Sequence, residues 1–365
     1  MRARNTDRIV RGIALSVVLL GVAGMGASRW MGRASAPRLI RDYHPDSAVP
    51  RIPFDGTIVE GILLGRDFDV VGADMYLLDM AAPRVVFLHN TDDRWKVSGG
   101  FGKRGGGPGE LLQPSGIAVT DSPRTIIIAD QNRLHFFDAA GSYVRSLTPE
   151  LPCTMAAPQV AAVDGAILMS GRCVRGDTVF AELFHIAGNA GISIVRDVLY
   201  TMDGKTGSVF GASSFFTTST GGGTFGGGTS DCTYRINVRN EPPQSTSVCG
   251  LGSSRYAFVP DEHLVAKAKA VAAARPWIAA ALTLPDRLPV YVDRISIDGV
   301  SLLLRPVNND SVAFRVAGSE ADLAIAPVEG LIGCRAAGCL WIQQDTVAKM
   351  MFVPAARIST FVRTQ

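Results

Sequence analysis

The chain lacks most of what marks an enzyme. It has 5 histidines in 365 residues. These are His44, His89, His135, His185 and His263, scattered without metal-ligand spacing. His89 and His135 fall at related places in two similar segments, which reads as repeat geometry rather than a site. No Gly-x-Ser-x-Gly segment is present, so the common hydrolase arrangement has no support. A phosphate loop is excluded too, because Gly102-Lys103 is followed by Arg104 and more glycine and then by an extended segment, where Gly-Lys-Ser/Thr opening a helix is needed. The second glycine cluster, Gly221 to Gly228, also precedes no helix and reads as a loop or linker. Excess charge of one sign is missing as well. The net charge of +3 comes from the first 28 residues, where Arg2, Arg4, Arg8 and Arg11 face only Asp7. The remainder balances, which argues against a nucleic-acid partner.

What is present points to an all-β fold. Hydrophobic residues make up 47%, with 39 Gly and 20 Pro, so the chain can bury a large core and turns often. The N-terminus carries a basic start followed by an uncharged run, Gly12 to Ser28, with Ile13 to Val22 as its apolar heart. That pattern is a secretory signal or a short anchor. Ala34-Ser35-Ala36 resembles a cleavage site but is followed directly by Pro37, and cleavage after Ser28 is the alternative. The expected organisation is a signal or anchor with linker over 1–36 and one exported domain over 37–365, in a periplasmic or extracellular compartment. Contact with a membrane runs only through residues 12–28, if they are retained.

All 6 cysteines lie beyond that segment, and an even number in an exported chain suggests disulfides. Cys153 and Cys173 are centred near the turn dipeptide Asp164-Gly165. Cys232 and Cys249 are equidistant from Asn240-Glu241. Cys334 and Cys339 flank Arg-Ala-Ala-Gly. Each sequential pair straddles a hairpin turn, so the expected bridges are 153–173, 232–249 and 334–339.

The most informative stretch is Val71 to Leu147. Met75 to Asp79 is an apolar strand ending in Asp, and Arg84 to Leu88 follows after a short turn. About fifty residues later the pattern returns as Ile126 to Asp130, Gln131-Asn132-Arg133, then Leu134 to Phe137 and Asp138, closing at Gly141 before Tyr143 to Leu147. Repeats of this size built from several short strands indicate propeller blades. Asp79 and Asp130 sit at equivalent strand ends and read as turn residues that accept nearby backbone amides. Between the units runs a glycine-rich linker ending Gly107-Pro108-Gly109-Glu110, then Pro114 and the strand Gly116-Ile117-Ala118-Val119.

In these residues the chain resembles the NHL-repeat six-bladed propellers. The family carries a Gly-Pro-Gly-Glu linker, then Pro, a Gly-Ile-Ala-Val strand, an Ala-Asp strand end, an Asn-x-Arg-type turn and a Phe-Asp strand end with Gly. The likeness spans about Phe101 to Leu147. Asp79, Arg84, Gly107, Pro108, Gly109, Glu110, Pro114, Gly116, Asp130, Asn132, Arg133, Phe137, Asp138 and Gly141 match the family's scaffold, not an active site. The resemblance implies an all-β, six-bladed β-propeller.

Hairpin reading places a third blade at about 150–200 and a fourth at about 208–258. A helical insert at about 261–283 is expected to follow, started by Pro260-Asp261 and interrupted by Pro276. Val290 to Val316 is read as the fifth blade. The sixth is read from Leu323 to Val353, with a last strand Ile358 to Val362 closing on residues near Ile58 to Leu64. The functional expectation is a binding or scaffold module for a protein, peptide or glycan, with no catalytic residue and no cofactor evident. Two alternatives stand beside it. One is a metal-dependent hydrolase or lyase holding a divalent ion in the central channel, as some related propellers do. The other is a membrane-tethered sensor domain.

Overall fold

A computed structural model of the chain describes residues 57–58, 62, 65–92, 94–176, 178–201, 214–219, 222–227, 233–248, 293–297, 300–306, 311–316, 322–327, 331–344 and 348–363. The N-terminal segment 1–36, the helical insert at 261–283 and the Cys232/Cys249 pair lie outside these residues. After the short β1 (Thr57–Ile58), the first sheet contains β2 (Gly65–Val71), β3 (Asp74–Asp79), β4 (Arg84–Thr91) and β5 (Arg94–Phe101). The second contains β6 (Pro114–Asp121), β7 (Arg124–Asp130), β8 (Arg133–Asp138) and β9 (Tyr143–Leu147). The third contains β10 (Thr154–Val163), β11 (Ala166–Arg175), β12 (Thr178–Ala187) and β13 (Ala190–Thr201). The fourth contains β14 (Ser214–Ser219), β15 (Gly222–Gly227), β16 (Thr233–Asn237) and β17 (Gln244–Val248). The fifth contains β18 (Asp293–Ile297), β19 (Val300–Pro306), β20 (Ser311–Val316) and β21 (Asp322–Pro327). The last contains β22 (Leu331–Arg335), β23 (Gly338–Gln344) and β24 (Ala348–Pro354), with β1 added at its edge.

Every sheet is an antiparallel meander, and the first strands touch in cyclic order: β2 with β6, β6 with β10, β10 with β14, β14 with β18, β18 with β22, and β22 with β2 again. A ring of sheets joined through their innermost strands around an axis is an all-β propeller.

Stacking each sheet between two others explains the sequence pattern. In β7, Ile126 and Ile128 pack toward the first sheet with Tyr76, Leu78 and Val85. The alternate residues Ile127 and Ala129 pack toward the third with Val160, Met169 and Phe184. With both faces buried, the strand reads as a continuous apolar run instead of an alternation. Outer strands lack this constraint, and β9 is exposed along most of its length. An aromatic ladder fastens the first two sheets: Tyr76, Phe87, Phe101, Phe137 and Tyr143 follow one another edge-to-face or tilted, the Phe101 and Phe137 rings lying 4.5 Å apart.

Three sequence expectations change. The segment 358–362 is not a strand, because α1 (Ala355–Arg363) occupies it. Its residue Ile358 is buried against Ile295, Leu302 and Trp341. One apolar side chain per turn suits a helix lying over the core, whereas a strand would need alternate positions. The ring closes instead through β1 on β24, with Thr57 opposite Met350 and Ile58 opposite Lys349. Leu323 to Ile325 belongs to the outer strand of the fifth sheet and pairs with β20. The last sheet has room for that transfer because the N-terminus supplies its fourth strand. The related places expected for His89 and His135 also differ. Asp79 pairs with Arg84 and Asp130 with Arg133, so counting from these pairs sets His89 level with Asp138 and His135 level with Val86.

Among the described residues two disulfides are formed, Cys153–Cys173 and Cys334–Cys339. Cys334 and Cys339 are direct cross-strand partners of β22 and β23. Cys173 lies opposite Met155, beside the start of β10. They close loops of sequence separation 20 and 5. Chain-entropy reasoning therefore gives the longer loop the larger effect: replacing the 153–173 pair by alanines is expected to cost about 3 kcal/mol and the 334–339 pair about 2 kcal/mol, read as shifts in urea midpoint. A second prediction concerns Gly116. A Cβ there would lie 2.6 Å from the Gln159 Cα and 2.8 Å from the Val160 N. Because backbone is the obstacle, Gly116→Ala should destabilise by about 1–3 kcal/mol, and an unchanged urea midpoint would show that β6 and β10 can move apart.

Candidate functional site

The first strand of each sheet pairs on one side only, so its other edge points amides and carbonyls toward the axis. Between β2 and β6 this edge is satisfied by side chains. Asp67 accepts the Ile117 N–H at 3.0 Å, and Asp69 accepts the Val119 N–H at 2.8 Å. Two carboxylates two residues apart on one strand thus meet two amides two residues apart on the next, the spacing that a period of two provides. Each carboxylate also accepts the N–H of the residue after it, Phe68 and Val70, at 2.9 Å. Arg335, at the end of β22, crosses the Phe68 ring and bonds Asp67, while its other terminal nitrogen donates to the Cys334 carbonyl at 3.0 Å. One cluster therefore joins the last, first and second sheets.

Burial dominates the ionisation of both carboxyls. Asp67 is raised above its ordinary value by burial, opposed by Arg335 and by its amide donors. Asp69 is pushed up to about 6 by burial, again opposed by Arg335 and by the Val119 and Val70 amides. Asp69 is nonetheless part-exposed, because it lines a cavity of about 170 Å³ with Ala118, Val119, Ala161, Ala162 and Arg335. The cavity lies toward the end of the channel where the inner strands finish. Its wall is of small apolar side chains with one carboxylate and one guanidinium at its rim.

The residues singled out from sequence stand elsewhere, at strand ends, in the linkers and in the packing between sheets. Gly107 and Glu110 close a turn with Pro108 and Gly109 in the middle; Gly109 has φ 75°, as position three of a type II turn requires. The Glu110 carboxylate accepts the Gly107 N–H at 2.9 Å and pairs with Lys103 at 2.9 Å. Asp130 is buried and accepts the N–H groups of Leu112 and Gln113, at 2.6 and 2.7 Å, just before Pro114 opens β6. These amides are near in space but distant in sequence, unlike the local turn expected. Asp79 is also buried, accepts the Ala81 N–H at 3.2 Å and pairs with Arg84. Asn132 lies exposed in the two-residue turn before Arg133. Asp138 accepts the Ala140 and Ser142 amides at 2.9 and 2.8 Å around Gly141, whose absent Cβ leaves room for Phe101. Phe137 packs in the aromatic ladder. Gly116 permits the close approach of β10.

Of the histidines, His89 bonds Asp74 at 2.7 Å on the surface. His135 is buried 3.9 Å from Asp130, and burial lowers its pKa. Among the described residues one group of three potential metal donors comes together, Cys153, Cys173 and Glu182. The two sulfurs are bonded to each other. Glu182 is held by Arg175 through both oxygens at 2.7 Å, by Ser193 at 2.6 Å and by Arg196 at 3.2 Å. This set is a structural ion-pair network whose donors are already engaged. Sequence reasoning missed Asp67, Asp69 and Arg335. The pattern Asp-x-Asp on a strand whose counterpart carries Gly116 and Ala118 was the available signal.

The raised Asp69 value has a definite sign. The folded protein holds this proton more tightly than the unfolded chain, so the contribution to stability is full below about 4 and is lost as pH rises through about 6. Wild type should therefore lose urea resistance relative to Asp69→Asn between pH 5 and pH 7. An equal difference at both values would mean that Asp69 titrates normally.

Known proteins place this architecture in company without fixing its role. No protein-family model and no curated protein sequence matches the chain. Solved structures do. Regucalcin from Agrobacterium tumefaciens, a calcium-binding protein, is 13% identical with a TM-score of 0.48, covering 83% of this chain and 95% of its own. The nidogen/laminin complex gives 14% identity and a TM-score of 0.40 over 72% of this chain and 84% of that one. A β-propeller domain from Myceliophteria thermophila gives 12% identity and 0.42 over 82% and 99%. At these values the assignment of a propeller rests on the sheet order and the cyclic strand contacts.

Proposed function

We propose that this chain is an exported, NHL-like, six-bladed propeller that acts as a binding or scaffold module for a protein, peptide or glycan. The observation that carries this reading is the engagement of the channel carboxylates. Asp67 and Asp69 each hold amides of the neighbouring sheet, and Asp67 is further paired with Arg335. Groups so held are rigid, and polar groups fixed beside a small apolar wall suit the recognition of a ligand. Six four-stranded sheets among the described residues support the blade number. Two disulfides suit an oxidising compartment outside the cytosol, in keeping with the basic and apolar N-terminus. The residues at 12–28, if retained, would tether the propeller to a membrane.

The alternative, a metal-dependent hydrolase or lyase, would have to use carboxylates that already accept the β6 amides, Asp67 being further engaged by Arg335. The test uses the purified protein and Ala162→Trp, which fills the cavity that Asp69 and Ala161 also line. Peptide and glycan arrays should give saturable ligands whose binding falls at least about tenfold in the variant. A stoichiometric divalent ion that is retained by wild type and lost from Asp69→Asn would overturn this reading in favour of the enzyme.

A further inference from the structure

The two disulfides of the described residues differ in the setting of their sulfurs. Cys334 and Cys339 are both buried, side by side on β22 and β23. Cys153 and Cys173 are unlike each other. Cys173 is buried on β11, whereas Cys153 is half-buried in the linker that leads into β10, between the exposed Pro152 and Thr154. Thiol–disulfide exchange needs one sulfur that an incoming thiolate can reach and a second that can leave with negative charge. Cys153 meets the first requirement.

Cys173 meets the second. The strand period puts Gly171, Cys173 and Arg175 on one face of β11. The register with β12 sets Glu182 opposite Gly171 and Phe180 opposite Cys173. The Arg175 Nε donates to the Cys173 sulfur at 3.5 Å, while its Nη2 holds both Glu182 oxygens at 2.7 Å. Both sulfurs and a Glu182 oxygen lie within 4.8 Å of one another. Glu182 also accepts from Arg196 on β13 at 3.2 Å. One carboxylate thus faces two guanidiniums. Among the described residues no other carboxylate is bonded to either of them, so positive charge is left in excess beside the sulfur. A cation in that place stabilises a thiolate.

We propose that Cys153–Cys173 is a thiol-exchange site whose partner is a dithiol. The partner's first thiol loses its proton to solvent, and its thiolate attacks the Cys153 sulfur. A bond forms between the partner's sulfur and Cys153. The Cys153–Cys173 bond breaks, and its electron pair leaves on Cys173 beside Arg175. The partner's second thiol, deprotonated in turn, then displaces Cys153, which takes a proton from solvent. The partner is oxidised by two electrons to its disulfide, and this protein is reduced by two. A monothiol stops at the mixed disulfide, which makes Cys153 the modified residue. The site goes beyond the binding role proposed above. None of its residues lines the Asp69 cavity, so the two readings fail separately.

The experiment exposes the purified full chain to dithiothreitol, quenches with acid, alkylates the free thiols and reads each cysteine separately by peptide mass spectrometry. The 153–173 bridge should open at least about tenfold faster than the 334–339 bridge. With 2-mercaptoethanol the adduct should sit on Cys153. Equilibration in mixtures of reduced and oxidised dithiothreitol then tests the leaving sulfur. Arg175→Gln removes the cation, so half-reduction should need a reduced-to-oxidised ratio about tenfold higher than wild type. Arg175→Lys keeps a cation and should restore most of the difference. Glu182→Gln removes the competing carboxylate and should lower the ratio. A network that only braces the sheet predicts the reverse for Arg175→Gln, because a loosened sheet gives up its bridge more easily. Should Arg175→Gln fail to fold by circular dichroism, Arg196→Gln, at the exposed side of the network, is read in the same way. Opening of 334–339 first or at an equal rate, an adduct on Cys173, or an unchanged or lower ratio in Arg175→Gln would overturn the proposal.

Discussion

A sheet that pairs on one side only leaves a row of amides and carbonyls without partners, and in a propeller every innermost strand has such a row facing the axis. The rest of this structure follows from how that constraint is met. Between the first two sheets it is met by Asp67 and Asp69, whose carboxylates take the Ile117 and Val119 amides. Apolar packing between sheets is non-directional and would tolerate sliding. The two charge-assisted bonds fix the height of β2 against β6, and Arg335 extends the same registration to the last sheet. Linker geometry works to the same end further out, where Asp130 gathers the Leu112 and Gln113 amides and Glu110 gathers that of Gly107.

Local features were legible in the sequence, because their causes lie within a few residues. The strand–turn–strand units from Met75 to Asp79 and from Ile126 to Asp130, the glycine at a positive-φ turn position and the cysteines of tight hairpins all depend on short-range chemistry. The expected third sheet at 150–200 agrees closely with β10 to β13. What could not be read was anything set by ring closure. Asp67 and Arg335 are 268 residues apart, and nothing near either predicts the other. The assignment of Leu323 to Ile325 erred for the same reason. Whether that strand ends the fifth sheet or begins the last depends on whether the N-terminus supplies a strand, which is a property of the closed ring. Ile358 to Val362 misled because a short apolar run fits strand or helix until its burial is known.

The two ends of the channel are built from different side chains. Toward the finish of the inner strands it offers a carboxylate beside small apolar side chains. Toward their start the bulged residue of the first sheet is Arg66 and that of the second is Ser115. The repeated bulges let one scaffold do this, because the residue at the bulge can change from Arg66 to Ser115 to Ile332 without altering the strand pairing around it.

The seam between β1 and β24 has a mechanical meaning. Among the described residues Thr57 and Ile58 alone pair across it. Tension applied at Thr57 meets this short pairing first. The Cys334–Cys339 bridge lies two strands inward, on the hairpin that bears Arg335. Under load the outer strand would peel while the covalently pinned hairpin held its place at the axis. The ring is thus a clasp with a compliant outer lip and a stiff inner one, able to yield at its attachment without disturbing the channel.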